Sequence, residues 1–101
     1  DFDRGINVES RNTGLICADI QGNAVTNTGS DGIRVRQRDT STLRVERYSG
    51  GGASTTDMST HLAAENPAAA STAASVATTF DTPVADGACR MPAAIALAPR
   101  R

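Results

Sequence analysis

The sequence predicts an all-β fold in which about two coils of a parallel β-helix are followed by a closing segment. The first observation is a repeat, because residues 5–13, GINVESRNT, recur 27 positions later as GIRVRQRDT at 32–40. The second is that the repeated units read as short β-prone runs separated by turn residues. Such a unit cannot bury its inner face without a neighbour, which is typical of repeat folds. We therefore expect each unit to form one coil stacked on the next.

The apolar residues of the two units predict the contacts between the coils. The offset of 27 continues the apolar pattern beyond the residues that are identical. Neighbouring parallel strands lie about 4.8 Å apart, so equivalent side chains should touch. The pairs expected to stack are Ile6 with Ile33, Val8 with Val35, Ile16 with Leu43, and Ala18 with Val45.

Residues 1–50 form the first of two predicted segments and should contain four strands. Apolar and charged residues alternate best in the third and fourth strands, which predicts one buried and one wet face. The Asn and Gly residues between the strands tolerate the left-handed backbone that sharp turns need. The predicted strands are Ile6–Glu9, Leu15–Gln21, Gly32–Gln37 and Thr42–Arg47.

Residues 51–101 are predicted to form a capping segment. A short helix should span 57–65, capped by Thr55 or Thr56 and stopped by Pro67. An extended strand near 74–80 and a proline-rich tail should follow, because prolines at three positions disfavour regular structure there. The helix residues expected to be buried are Met58, Leu62 and Ala63.

Composition and charge exclude several classes of partner. Ten basic residues, all of them Arg, face eleven acids, and the net charge of −1 gives no electrostatic reason to bind nucleic acid or an anionic membrane. No stretch approaches the ~20 apolar residues of a membrane span. The longest apolar piece, 91–99, is short and is interrupted by proline. We expect neither a nucleic-acid partner nor a membrane span.

The two cysteines, Cys17 and Cys89, are far apart and lack the spacing of a metal site. An even number in a chain rich in Thr, Ser, Asn and Gly favours one structural disulfide and an oxidising compartment. The alternative is two unrelated buried thiols in a cytosolic protein. With a disulfide, the protein should be secreted, periplasmic or on the cell surface.

Catalytic chemistry has little support in the sequence. The single histidine, His61, lies on the predicted helix, where Asp57 could orient it as a general base, but an ordinary surface pair explains both residues better. No nucleophile elbow, phosphate-binding loop or HExxH motif is present. We predict no enzyme activity, no cofactor and no metal.

Two groups of acids could still carry chemistry. Asp19 and Glu46 share the offset of 27, and such a pair could do acid–base work or hold Ca²⁺. A ladder of ion pairs with Arg44 and Arg47 explains them better. A turn with the residues Asn27, Ser30 and Asp31 could also bind Ca²⁺, although ordinary turn chemistry accounts for them.

An arginine stripe runs along the third strand. By itself the stripe could grip a phosphate or a sulfated glycan, and a glycan is therefore a candidate surface ligand. Neighbouring acids favour a charge-balanced outer face instead, and no aromatic residues alternate with the arginines to stack on bases. The arginines are Arg34, Arg36 and Arg38, and the acids expected to balance them are Asp31, Asp39 and Glu46.

Four motifs in order carry a resemblance over residues 5–92: CADIQGN at 17–23, SDGIRVRQR at 30–38, LAAENP at 62–67 and GACRMP at 87–92. Together they resemble the C-terminal end of large secreted bacterial proteins built from right-handed parallel β-helix repeats, which are surface and adhesin-like proteins. The resemblance implies right-handed coils, a paired Cys17 and Cys89, and a structural role without catalytic residues. The run 45–50, VERYSG, keeps the Tyr and Gly of such ends but lacks their Pro.

These observations predict a non-catalytic structural or capping module of a secreted or cell-surface β-helix protein that mediates assembly or surface interaction. The alternatives are a small accessory subunit of a complex outside the cytoplasm and a fragment of a polysaccharide-active enzyme. Because Asp1 leads straight into the repeat, we expect a longer parent protein. The edge formed by 6–9 and 15–21 should be covered by upstream coils or by a partner subunit, and the helix and tail should guard the opposite edge.

Overall fold

A computed structural model of the protein describes residues 5–25 and 32–90. Strands β1, β3 and β5 form one parallel sheet in the order β1-β3-β5, which we call sheet A, and β2 and β4 form a second parallel pair, sheet B. The helix packs mainly against β5. In chain order the elements are β1 (Ile6–Ser10), β2 (Leu15–Ala18), β3 (Ile33–Gln37), β4 (Thr42–Val45), α1 (Thr55–Glu65) and β5 (Thr72–Val76).

The predicted fold class, an all-β parallel β-helix, is wrong. The described residues form a mixed α/β structure with two separate parallel sheets, neither of which is closed or a solenoid. The repeat at the offset of 27 occurs only twice. The third strand of sheet A follows α1 and pairs with β3 at an offset of 39, since Thr72 lies beside Ile33. Because α1 occupies the chain where a third repeat unit would begin, sheet B has only β2 and β4 in these ranges.

The parallel pairing predicted between the two repeat units is confirmed. β1 pairs with β3, and β2 with β4, in the expected register. The β3 and β4 members of the pairs are fully buried, whereas their β1 and β2 partners are only partly buried. The two units are therefore in contact, but the first one has no neighbouring strand on its outer side among the described residues. The observed pairs are Ile6–Ile33, Val8–Val35, Ile16–Leu43 and Ala18–Val45.

The turns after β1 and β3 explain why the repeat keeps Asn or Asp at one position. Asn12 and Asp39 both adopt a left-handed backbone, with φ of 58° and 57°, which short polar residues tolerate best. The Asp39 carboxylate accepts a hydrogen bond from the Asn12 amide at 2.8 Å. Thr40 adds a bond from its hydroxyl to the Asn12 carbonyl at 3.3 Å. The turns therefore stack in the same register as the strands.

Helix α1 begins two residues earlier than the sequence predicted. Its N-cap is Ser54, not Thr55 or Thr56, and the Ser54 hydroxyl accepts from the Asp57 amide at 3.0 Å. A serine in this position satisfies a helix amide that would otherwise have no partner. The helix ends at Glu65, as predicted.

The core lies between the two sheets and the buried face of α1. Met58 and Leu62 are buried as predicted, but Ala63 is exposed. The strand expected near 74–80 runs over Thr72–Val76 instead. The buried apolar cluster consists of Ile20, Ile33, Val35, Leu43, Val45, Tyr48, Met58, Leu62 and Phe80.

Candidate functional site

One side of each sheet ends in a strand of the first repeat unit. In β1, the Ile6 amide donates to the Gly32 carbonyl at 3.0 Å, so Ile6 directs its backbone towards β3. Along a strand, the backbone N–H and C=O groups of successive residues point alternately towards the strands on the two sides. Asn7 and Glu9 therefore turn their N–H and C=O groups away from the sheet. We call the outer sides of β1 and β2 the open edge.

Strand β2 continues the open edge. The Glu46 amide donates to the Ala18 carbonyl at 2.9 Å, so the backbone groups of Ala18 face β4. Leu15 and Cys17 direct theirs outward by the same alternation. Leu15 is 56% exposed, and within the described ranges it is the large apolar residue with an exposed surface. The open edge thus combines unpaired strand backbone with exposed apolar surface.

The opposite sides of the sheets are covered. The Ser59 hydroxyl of α1 donates to the Thr72 carbonyl of β5 at 3.0 Å. The Leu43 carbonyl of β4 accepts from the Asp81 amide at 3.0 Å. The sequence predicted a helix and tail beyond the third strand, but β5 lies directly beside β3 and α1 packs against β5. Covered edges of this kind are protected from pairing with other chains.

Four carboxylates converge on Arg47. Its guanidinium binds Asp19 at 2.6 Å, Asp86 at 2.8 Å and Glu46 at 3.2 Å, and its Nε donates to Glu65. The hydrogen bonds that Arg47 donates to Asp19 and Glu65 raise the pKa of its guanidinium group. The bond from Arg47 in turn lowers the pKa of the Asp19 carboxyl. The cluster is an ion-pair network built around one guanidinium.

Asp19 and Glu46, for which the sequence allowed either an acid–base or Ca²⁺-binding pair or an ion-pair ladder, belong to this network. Asp19 and Glu46 do come together, but Arg47 bridges them, as the ion-pair ladder predicted. Arg44, the second cation predicted for the ladder, binds Asp81 at 2.7 Å instead. Both carboxylates of the pair are therefore bound by the same guanidinium group.

The Glu46 side chain is fully buried, contrary to the outward position that alternation predicted. Its carboxylate accepts hydrogen bonds from the Gly87 amide at 2.8 Å and the Cys89 amide at 2.7 Å. Strand β4 ends at Val45, so alternation no longer applies to the next residue. The sequence contains no local signal for these bonds, because their donors lie 41 and 43 residues further along the chain.

The predicted disulfide between Cys17 and Cys89 is confirmed. The sulfur atoms are 1.99 Å apart and the Cα atoms 5.2 Å apart. The bond ties the segment around Gly87 to β2, next to the carboxylate of Glu46. A disulfide is consistent with an extracellular protein.

The His61 ring contacts a backbone carbonyl and an aromatic ring. Its Nε2 lies 3.0 Å from the Glu46 carbonyl, which can only accept, so Nε2 carries the proton. The ring meets Tyr48 edge-on at a centroid distance of 5.6 Å. The Asp57 carboxylate accepts from the Gly51 amide at 2.9 Å and, together with burial as the larger cause, raises the pKa of Tyr48. Asp57 therefore holds the loop before α1, not the imidazole.

Two of the three acids predicted to balance the arginine stripe are bound elsewhere. Glu46 lies buried beside Arg47, and the Asp39 carboxylate is bound to the Asn12 amide. The third acid, Asp31, and the suggested Ca²⁺ turn with Asn27 and Ser30 lie outside the described residues. Within 5–25 and 32–90, no group of three or more His, Cys, Asp or Glu is placed to hold a metal ion.

Comparisons with known proteins identify no relative. No protein-family model, no curated protein and no solved structure matches the chain. The resemblance to the ends of secreted β-helix proteins therefore stays a prediction. In the part of the chain that the structure covers, no helix has the length and apolar character needed to cross a membrane.

Proposed function

We propose that the protein is a non-catalytic structural module outside the cytoplasm that joins a larger assembly through its open edge. The observation that carries the proposal is the asymmetry of the two sheets. Their far sides are covered by α1 and by the segment at Asp81. On the near side, neither β1 in sheet A nor β2 in sheet B has a further strand beside it in the described residues. An edge strand with exposed apolar surface is a template for pairing with another chain.

The occupant that best fits the open edge is a strand–turn–strand segment of a partner polypeptide in parallel orientation. The outer side of the first repeat unit has the same residue pattern as the side that β3 and β4 turn towards β1 and β2. A segment resembling 6–18, which occupies that side of β3 and β4, therefore has the complementary shape. Strand addition of this kind supplies main-chain hydrogen bonds, and side-chain contacts such as those with Val8 and Ile16 supply specificity.

The environment of the candidate catalytic groups supports a non-catalytic role. Asp19 and Glu46 are both bound by Arg47, and Glu46 has no exposed surface. His61 is held by a backbone carbonyl. None of these residues combines a free proton-transfer group with an orienting partner, which acid–base catalysis requires. The proposed location, secreted, periplasmic or cell-surface, rests on the disulfide.

The proposal predicts that the disulfide-bonded protein self-associates as its concentration rises, because an uncovered edge finds a second copy. Sedimentation velocity over a range of concentrations measures this. Leu15→Glu should shift the protein towards monomer, since a charge at the exposed edge opposes strand pairing. Ala63→Glu is the matched control, because it adds the same charge at an exposed site on α1 and should leave the association unchanged.

A monomer at every concentration, with a cooperative unfolding transition at high temperature, would contradict the proposal. Equal effects of Leu15→Glu and Ala63→Glu would also contradict it, because they would show that charge alone and not the edge governs association. The secondary structure of both variants is compared by circular dichroism, which should match the wild type.

A further inference from the structure

A second surface, separate from the open edge, carries two arginines that have no carboxylate partner among residues 5–25 and 32–90. Arg34 and Arg36 lie two positions apart on β3 and point to the outer face of sheet A, since Ile33 and Val35, which alternate with them, point into the core. Neither side chain forms an ion pair or a hydrogen bond with any residue in 5–25 or 32–90. By contrast, Arg44 is bound to Asp81.

Arg34 and Arg36 are partly exposed, and the residues beside them on the neighbouring strands are mostly short. In the register of sheet A, Arg34 lies between Asn7 and Ala73, and Arg36 lies beside Ser75. Alanine and serine are too short to cover an arginine side chain. A cleft of about 300 Å³ begins at this point, and it is lined by Arg36, Gln37, Arg38, Asp39, Ser75, Val76 and Ala77.

Glu9, the described acid beside the two arginines, does not neutralise them. Glu9 lies beside Arg36 in the register, but its carboxylate accepts from Arg11 at 2.5 Å and from Arg38 at 3.2 Å. Those bonds, chiefly that of Arg11, lower the pKa of Glu9. Glu9 is therefore committed to two other cations. Counted over the described residues, this face has a local positive charge, although the whole chain carries −1.

We propose that this face binds an anionic polysaccharide whose sulfate or carboxylate groups contact Arg34 and Arg36. Residues two apart on a strand are spaced by about 6.7 Å, which places two cations in a row along an extended chain. The planar guanidinium group binds such oxyanions through paired hydrogen bonds. Asn7 and Ser75 offer an amide and a hydroxyl beside the arginines for the sugar hydroxyl groups. The face presents no aromatic side chain in its described strands, so base stacking does not favour a nucleic acid.

The test uses the full disulfide-bonded chain and two probes, heparin for sulfate groups and polygalacturonate for carboxylate groups. The double variant Arg34→Gln/Arg36→Gln should lose binding by about tenfold or more, and its affinity should depend less steeply on salt. The control Arg44→Gln/Arg90→Gln removes the same number of charges outside sheet A, from β4 and from the residue that follows Cys89, and it should bind almost as the wild type does. Comparing the two probes shows whether the face prefers sulfate or carboxylate.

Loss of binding in Arg34→Gln/Arg36→Gln alone would support the proposal. An equal loss in the control, no loss in either variant, or no binding of either probe at low ionic strength would overturn it. Tighter binding of a single-stranded oligonucleotide or of polyglutamate than of both polysaccharides would overturn the ligand class. Leu15→Glu should bind the probes as the wild type does, so the result does not depend on the open edge. The melting temperature of each variant verifies that it is folded.

Discussion

Single residues hold the C-terminal part of the described chain in place, and Glu46 binds its backbone directly. Its carboxylate has no exposed surface and is satisfied by two backbone amides and by Arg47. A buried charge is tolerated only when such partners are present. The carboxylate therefore fixes the position of the segment that contains Gly87 and Cys89.

Replacing Glu46 by glutamine should lower the free energy of unfolding by about 3 kcal/mol, because one oxygen becomes an NH₂ group that cannot accept from an amide. Urea unfolding of the disulfide-bonded protein measures the change. The control is Asp86→Asn, which removes a 67% exposed partner of the same arginine and should cost less than about 1 kcal/mol. If the two variants lose the same stability, Glu46 is not the anchor described above.

At this scale the sequence predicts the residues that follow a local pattern. The apolar partners of β3 and β4 could be derived from alternation and from the offset of 27, and the disulfide from the number of cysteines. Glu46 could not, because its partners are backbone groups of a distant segment. Arg47 could be placed near Asp19, but not at Glu65 and Asp86, which approach it from α1 and from the chain after β5.

Among the elements, α1 has the greatest influence on how the sheets are covered. It follows a loop that is held by Asp57, starts at a serine cap and places Ser59 against the carbonyl of Thr72. Its two buried side chains, Met58 and Leu62, join the core under β5. The short helix thus protects one sheet edge and contributes to the core at once.

Ser54→Ala should destabilise the protein by about 1 kcal/mol, because the Asp57 amide loses its side-chain acceptor. Thermal unfolding followed at the helix signal provides the measurement. Thr56→Ala changes an exposed hydroxyl inside the first turn and is expected to be neutral or slightly stabilising, since alanine is the better helix former. Equal destabilisation by both changes would show that Ser54 does not act as a cap.

Element types were easier to predict than their arrangement. The four strands of the repeat and the helix have recognisable patterns, whereas the place of β5 does not. The sequence of β5, TAASV, is short and weakly apolar. It pairs with β3 at an offset of 39, and no repeat in the sequence indicates that offset. The predicted fold class was wrong because the third strand of sheet A follows a helix and does not belong to a further repeat unit.

At the scale of the whole molecule, the chain is closed on itself by a covalent link between residues 72 positions apart. Tyr48 and Phe80 meet edge-on at 6.0 Å in the core between these ends. The link joins a strand of the open edge to the last segment that the structure describes. Its contribution should therefore extend to the entire fold.

Removing the link with Cys17→Ser/Cys89→Ser should lower the free energy of unfolding by about 4 kcal/mol, since a loop of this length gains much freedom in the unfolded chain. Urea unfolding with and without reductant measures it. The reductant should destabilise the wild type and leave the double variant unchanged. A wild type whose midpoint does not move on reduction would contradict a stabilising role.

The covering of the far edges has a consequence for stoichiometry. A molecule whose sheets can be extended on one side only accepts one partner there and offers no new site after that partner is bound. Two copies that meet through their open edges pair antiparallel about a twofold axis, unlike the parallel partner segment proposed above, and use up both edges. The expected self-association should therefore stop at a dimer. Fibres require an edge at each side of every subunit. The helix that covers β5 and the Asp81 segment beside β4 therefore make this protein a terminator of strand addition.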